Sequence, residues 1–334
     1  MPLNSLVRFR PTGPWRFGPG SGARDQVDSI LHSDAIYSAV TTAMSRLGML
    51  DEWVQATAKS ESGVPSVRFS SLFPYSRETL FVVPPRGIWP PPASTKVRYK
   101  GARFVPLSAV ETLLSEKPLD EDRWQVDGES ACLIPTNWQE GPFRTGLRSN
   151  AGVDRLNPGN IGVHSTACLE FTRDSGLWLV VVFADEEARS HWEQPTRAAF
   201  RLLADSGIGG ERSRGWGRSA QPKWENANAL NLKTESEGVE SAYWLLSLFS
   251  PADSESIDWN RGNYSTLIRT GRIESPAHWG ETKTPARMIA EGSVLLASQE
   301  PRGGVSDIAP ENFPHPVYRA GFAVTVPIPW RVPA

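Results

Sequence analysis

The order of strand and helix signals in this 334-residue sequence predicts an α+β fold. Three observations carry that prediction. A strand pattern at residues 3–10 is followed by a helical one in which Ile36, Val40, Ala43, Met44 and Leu47 share a face. A continuously apolar run at 177–183 reads as a central strand, and Ala199, Phe200, Leu202 and Leu203 mark a second helix after it. Further strand signals at 243–249, 293–298 and 317–328 follow a polar linker at 225–240. With an insertion at about 75–165 set apart, the first half reads β-α-β-β-α-β, the ferredoxin-like (RRM-like) order. The chain then divides into two such units, 1–228 and 229–334, with the helices of the second poorly marked.

Each element has a local reason. A Gly/Pro-rich stretch at 11–22 follows the first strand. Ser33 or Asp34 is a natural N-cap for the first helix, and Gly48 stops it. Residues 67–73 and 80–83 read as strands, and the proline-rich 84–92 breaks regular structure. Within the insertion, 105–114 reads as a short helix, while Arg144, Arg148 and Arg155 fall on polar, glycine-containing loops. Residues 167–171 and 177–183, joined by Arg173-Asp174-Ser175-Gly176, read as a hairpin. The second helix is expected to begin at about Pro195, which suits a first helical position, and a short strand is expected at 218–224.

Composition limits the function classes. Content that is 39% hydrophobic and 22% charged is ordinary for a globular protein, and a net charge of -2 gives no global basic footprint. Nucleic-acid binding would therefore rest on local patches: Arg8, Arg10, Arg16 and Arg24; Lys96, Arg98, Lys100 and Arg103; Arg144, Arg148 and Arg155. Any one of these alone reads as a solvated face. Cys132 and Cys168 are too few for a disulfide framework or a zinc knuckle, so a reducing, cytoplasmic setting is expected. No signal peptide and no membrane-length apolar run is read. Thirteen tryptophans and 28 prolines suggest a loop-rich protein with large aromatic contacts.

The most telling stretch is Asp205-Ser206-Gly207-Ile208-Gly209-Gly210-Glu211-Arg212-Ser213-Arg214-Gly215-Trp216-Gly217-Arg218. Five glycines exceed what a surface turn needs, and each lets the backbone take conformations that bring another molecule close. The arginines supply planar forks for phosphate oxygens, and Trp216 a flat face for a base. In an extended segment Arg212, Arg214 and Trp216 would share a side. No Gly-Lys pair makes a P-loop. The letters Gly215-x-Gly217-x-x-Ala220 fit a dinucleotide turn, but a helix precedes them and Pro222 sits where the next helix should start. A helix C-cap would account for Gly207 alone. The stretch reads as a ligand-binding loop that cradles a phosphate backbone.

With these residues in place, the chain resembles the RAMP superfamily of CRISPR proteins, whose glycine loop residues 207–218 match closely. Within it, the chain is most similar to the subunit of the type III-A Csm effector complex that holds the crRNA 5′ tag. Leu31-His32-Ser33-Asp34-Ala35-Ile36-Tyr37-Ser38-Ala39-Val40 resembles that subunit's first-helix motif, with Ala35-Ile36 where Thr-Leu is more usual. Val153-Asp154-Arg155, Gly292-Ser293-Val294 and His315-Pro316-Val317-Tyr318-Arg319-x-Gly321 resemble later landmarks, while 84–140 match no known motif. The resemblance implies a non-catalytic subunit without metal or cofactor. It would bind the crRNA 5′ tag and join the backbone RAMP subunits to the large polymerase-like subunit, with no membrane. RNA contacts are expected at His32, Ser33, Gly207, Gly209, Gly210, Arg212, Ser213, Arg214, Gly215, Trp216, Gly217 and Arg218, and at Arg148 and Arg155.

Chemistry finds little support in the residues. The sequence contains no Gly-Gly-Asp-Asp, H-E-x-x-H or GxSxG motif, and His32, His164, His191, His278 and His315 show no metal-ligand spacing. His32-Ser33-Asp34 holds the letters of a triad, yet adjacent residues at a helix start diverge. The open alternatives are a repeat endoribonuclease using His32 as general acid or base, a ribonuclease using Asp25 or Asp28, the equivalent subunit of a type III-B complex, and a module that binds only protein. The plain reading of Asp25 and Asp28 is solvation.

Overall fold

A computed structural model describes residues 3–19, 22–91, 97–153, 161–230, 232, 240–274 and 279–330. In chain order the first part holds β1 (Leu3–Phe9), α1 (Ser33–Arg46), α2 (Leu50–Ala56), β2 (Val67–Phe69), β3 (Phe73–Ser76), β4 (Thr79–Val82), β5 (Val105–Pro106), α3 (Leu107–Leu114), β6 (Trp124–Val126), β7 (Leu133–Pro135), β8 (Phe143–Val153), β9 (Ile161–Phe171), β10 (Ser175–Phe183), α4 (Glu186–Ser206) and β11 (Lys223–Asn226). The second part holds β12 (Ser241–Leu245), β13 (Ile257–Asn263), β14 (Thr266–Arg269), β15 (Arg272–Glu274), β16 (Trp279–Thr282), β17 (Ala286–Ile289), β18 (Val294–Ala297), β19 (Val305–Asp307), β20 (Tyr318–Ala320) and β21 (Thr325–Pro329). The fold is α+β.

The first sheet runs β11-β1-β10-β3-β4-β5, with β2 also paired to β10, and its ladders are antiparallel. Every residue of β10 is buried, which explains its unbroken apolar run. α4 lies against β1 and β10 and also packs on α1. Trp53 of α2 stacks on Tyr37 of α1 and Phe69 of β2 and meets the edge of Trp192 of α4, so one indole joins three helices to the sheet. The second sheet, β13-β18-β12-β21, is also antiparallel. With β2, β4 and β5 set aside, the run β11-β1-β10-β3 of the first sheet matches β21-β12-β18-β13 of the second: in each, the first and third of the four strands lie centrally, flanked by the fourth and second.

Several expectations give way to tertiary context. β9 pairs with β8 along eleven residues, and β10 pairs with β1, β2 and β3, so 167–183 is not a hairpin. The turn letters at 173–176 are real, but β9 leaves the sheet for a two-stranded arm. Arg144 and Arg148 therefore sit on a strand, not on loops. α4 starts nine residues before Pro195, because Asp185 caps it by accepting the Ala188 N–H at 2.8 Å, and Glu186 and Glu187 suit its first turn. Pro195 is an interior residue of that helix. Leu47 is exposed, lying past the last turn of α1. β11 extends to Asn226, so the polar segment begins later than 225.

The insertion is not coreless. Tyr99, Phe104, Val110, Leu133 and Phe143 join the main apolar cluster, and β5 extends the first sheet. Its strands β4 to β7 are at most four residues long, too short for periodicity to show. Among the described residues no α-helix follows Ser206, so the expected helices of the second unit are not found there. The short pairs β14–β17 and β15–β16 lie between β13 and β18, and the pair β19–β20 lies between β18 and β21.

Candidate nucleic-acid interface

The glycine loop leaves α4 at Gly207, whose φ of 90° closes the helix, and returns at Gly217. The Ile208 N–H donates to the Gly217 carbonyl at 3.0 Å, closing the base of the loop. The loop rests on the Gly/Pro-rich segment after β1. Gly210 N–H donates to the Arg16 carbonyl at 2.8 Å and Gly217 N–H to the Pro14 carbonyl at 2.9 Å. A Cβ at Gly209 would stand 2.4 Å from the Arg16 carbonyl oxygen, and one at Gly217 would stand 2.1 Å from that of Ile208. These glycines are demanded by the chain's own backbone. Gly215, with φ of 80°, faces open space. Arg16 is itself buried, donating to the carbonyls of Ala23, Arg24, Gln26 and Ala167, so this member of the first basic patch is structural.

The tip is a 3₁₀ turn, Arg212–Arg214, not an extended segment, so its side chains diverge. Arg212 pairs with Glu274 at 2.6 Å, while Arg214 pairs with Glu211 at 2.9 Å and reaches His164 Nε2 at 3.4 Å. Ser213 and Arg218 are exposed. Trp216 is only 8% exposed, so its ring is not offered as a stacking face.

The contact to His164 joins the loop to the β8–β9 arm. On the arm, Asn150 lies opposite His164 and Arg148 lies opposite Thr166. Arg144 and Arg148 both engage Glu170, the former at 3.1 Å. Arg148, Arg214 and His164 thus share one surface. Arg155 and Lys96 lie outside the described residues.

His32 and Ser33 are not on that surface; both are buried. Nor do Ser33 and Asp34 cap α1 in the expected way, because their side chains bind the second part of the chain. His32 Nδ1 lies 2.7 Å from Glu291, which also accepts the Ser71 hydroxyl, and Nε2 lies 3.4 Å from Asp28. Ser33 Oγ accepts the Leu248 N–H at 3.0 Å. Asp34 accepts two bonds of 3.0 Å from Arg269 and one of 2.5 Å from Arg319. Burial would push the His32 imidazole down, but the Glu291 carboxylate and the Asp28 bond hold it up at about 9. Burial disfavours the Asp34 charge, and Arg269 and Arg319 more than offset it, keeping the carboxyl below its ordinary value. Asp28 is not simply solvated: it pairs with Arg103 at 3.0 Å, while Asp25 is exposed. This seam was missed in the sequence because its partners lie more than 200 residues away, although Gly292 and Arg319 stood in the C-terminal landmarks.

Both ring nitrogens of His32 face carboxylates, so this buried histidine offers no free base at the surface. Among the described residues no His, Cys, Asp and Glu cluster could hold a metal ion. No helix is long and apolar enough to cross a membrane among the described residues.

Residues 239–328 match the family model of the CRISPR Csm4 C-terminal domain. Over this stretch the chain is similar to that domain. The Csm4-like chain also matches solved structures along its whole length. Against the Csm3-Csm4 subcomplex of the type III-A CRISPR-Cas interference complex, the TM-score is 0.65 at 15% identity, covering 98% of this chain and 99% of that one. Against the Csm1-Csm4 cassette in complex with cA4, it is 0.59 at 19% identity, covering 100% of both. Against the same cassette with pppApA, it is 0.58 at 19% identity, covering 99% of both. At these identities the likeness is one of fold. No curated protein sequence matches the Csm4-like chain.

Proposed function

We propose that this Csm4-like chain is a non-catalytic, cytoplasmic RNA-binding subunit of a type III-A CRISPR effector complex. It holds the crRNA 5′ tag and joins Csm3-like backbone subunits to a Csm1-like large subunit. The observation that carries the RNA reading is the meeting of Arg214 and His164 at 3.4 Å, which makes the glycine loop and the arm one continuous surface. Arg148, Ser213, Arg218 and the open backbone at Gly215 lie on the two elements that form it. Assembly is supported by the similarity to the Csm4 C-terminal domain at 239–328 and by full-length likeness in fold to chains of Csm3-Csm4 and Csm1-Csm4 complexes.

The reading has a fold behind it. Two ferredoxin-like units, 1–228 and 229–334, account for the order β11-β1-β10-β3 in the first sheet and β21-β12-β18-β13 in the second, with no α-helix among the described residues of the second unit. The buried His32 supports the absence of catalysis. The test is co-expression with Csm1-like and Csm3-like partners and a tag-bearing crRNA. Copurification of RNA and both partners is expected, with loss of tag RNA in the Arg214→Ala/Arg218→Ala double variant. Retention of tag RNA by that well-folded variant at every salt concentration would refute the assignment of the surface. Metal-independent cleavage of repeat RNA that depends on His32 would favour the endoribonuclease instead.

A further inference from the structure

The glycine loop and the seam are linked by a groove along α1. Leu31, Ala39 and Thr42 line it together with Gly207, Gly209 and Arg212. Ala35 and Ser38 line both this groove and a neighbouring cavity of about 560 Å³. Small side chains on that face of the helix leave the floor low and continuous.

The cavity is electrically lopsided. Arg269, Arg272, Lys283 and Arg319 face it, against one lining carboxylate, Asp34. Asp34 is already engaged by Arg269 and Arg319. Among the described residues Lys283 has no ion-pair partner, and the buried Nε of Arg319 has no hydrogen-bond partner. Burial first, then the neighbouring Arg319 and Arg269, hold the Lys283 ammonium below its ordinary value despite Asp34. Concentrating cations where they destabilise one another is unfavourable for folding alone. An entering anion would relieve that repulsion, and its ordinary biological form beside arginine forks is phosphate.

The geometry points to a phosphate-binding subsite in this cavity, with Lys283 and Arg272 as its adaptable ligands and Arg319 as its fixed wall. It rests on the reading of the chain as an RNA-binding subunit, and extends the RNA path from the glycine loop along α1 to the seam. Arg269 and Arg319 also hold Asp34, so they are unsuited to testing it.

The experiment uses the full chain and the variants Lys283→Ala, Lys283→Glu and Arg272→Ala, with Arg214→Ala/Arg218→Ala as the control for the glycine loop. The probes are inorganic phosphate and a tag-length single-stranded RNA. Phosphate is expected to raise the wild-type melting temperature beyond an equal ionic strength of chloride, and to do so less for Lys283→Ala and not at all for Lys283→Glu. The log–log salt slope of RNA binding should fall by about 0.7 on losing Lys283. A change with RNA alone assigns the subsite to the RNA backbone, and one with phosphate alone assigns it to a free phosphate; both support the subsite. If folded Lys283 variants match the wild type with both probes while the control loses RNA, the subsite is refuted and the surface stands. If the control also keeps RNA, both readings fall.

Discussion

Replacing His32 by Gln should abolish a steep pH dependence in the stability of the chain. In the fold the imidazole lies between Glu291 at 2.7 Å and Asp28 at 3.4 Å, with Arg269 as the opposing charge nearby. Burial works against its protonation, yet the two carboxylates win and raise it from 6.5 to about 9. A group raised on folding stabilises the fold fully below its unfolded value and ceases to do so as the pH climbs through its folded one. The window is therefore pH 6.5 to 9. At about 1.4 kcal/mol per tenfold change in proton affinity, the displacement corresponds to about 3 kcal/mol. Urea unfolding at intervals between pH 6 and 9.5 measures this directly. The wild-type chain should lose most of those 3 kcal/mol across the window, and His32→Gln should start lower and stay nearly level. Parallel curves for the two proteins would show that the ring is neutral in the fold and that the carboxylates do not hold its proton.

Three further outcomes follow from the same geometry. Asp34→Ala strands Arg269 and Arg319 in a buried site and should reduce unfolding free energy by about 3–5 kcal/mol, read by urea titration. Gly209→Val should disrupt the loop more than Gly210→Val, since a Cβ meets the Arg16 carbonyl at 2.4 Å in the first and only its side chain at 3.4 Å in the second; hydrogen exchange of residues 208–217 compares them. Arg214→Ala and Arg218→Ala should each lower the salt slope of tag-RNA binding by about 0.7, with Trp216→Ala acting through folding, as circular dichroism would report.

Some of this was legible in the sequence because it depends on neighbours in the chain. The apolar face of α1, the buried run of β10 and the helix stop at Gly207 are set by local patterns. The start of α4 was misplaced because Pro195 is a louder signal than Asp185, though a helix bears an interior proline when its packed face is large. The loop's glycines were legible as demanding, but not what demanded them: the backbone of Arg16 and Pro14 fills the space assigned to a ligand. Trp216 and His32 illustrate the same limit, since whether a residue faces solvent depends on segments far away in sequence. The β8–β9 arm was missed because Gly146, Gly152 and Gly162 dilute its alternation.

The three residues His32, Ser33 and Asp34 fasten the opening turn of α1 to Glu291, Leu248, Arg269 and Arg319. Trp244 Nε1 adds a bond to the Val83 carbonyl at 3.1 Å, and Arg68 one to the Ala323 carbonyl at 2.8 Å. None of these ties runs through the peptide chain between residues 230 and 240. A chain supplied as two polypeptides divided there should therefore find itself again on mixing. The same property would let the halves serve as a reporter, with fluorescence complementation between the fragments registering each seam variant without purification.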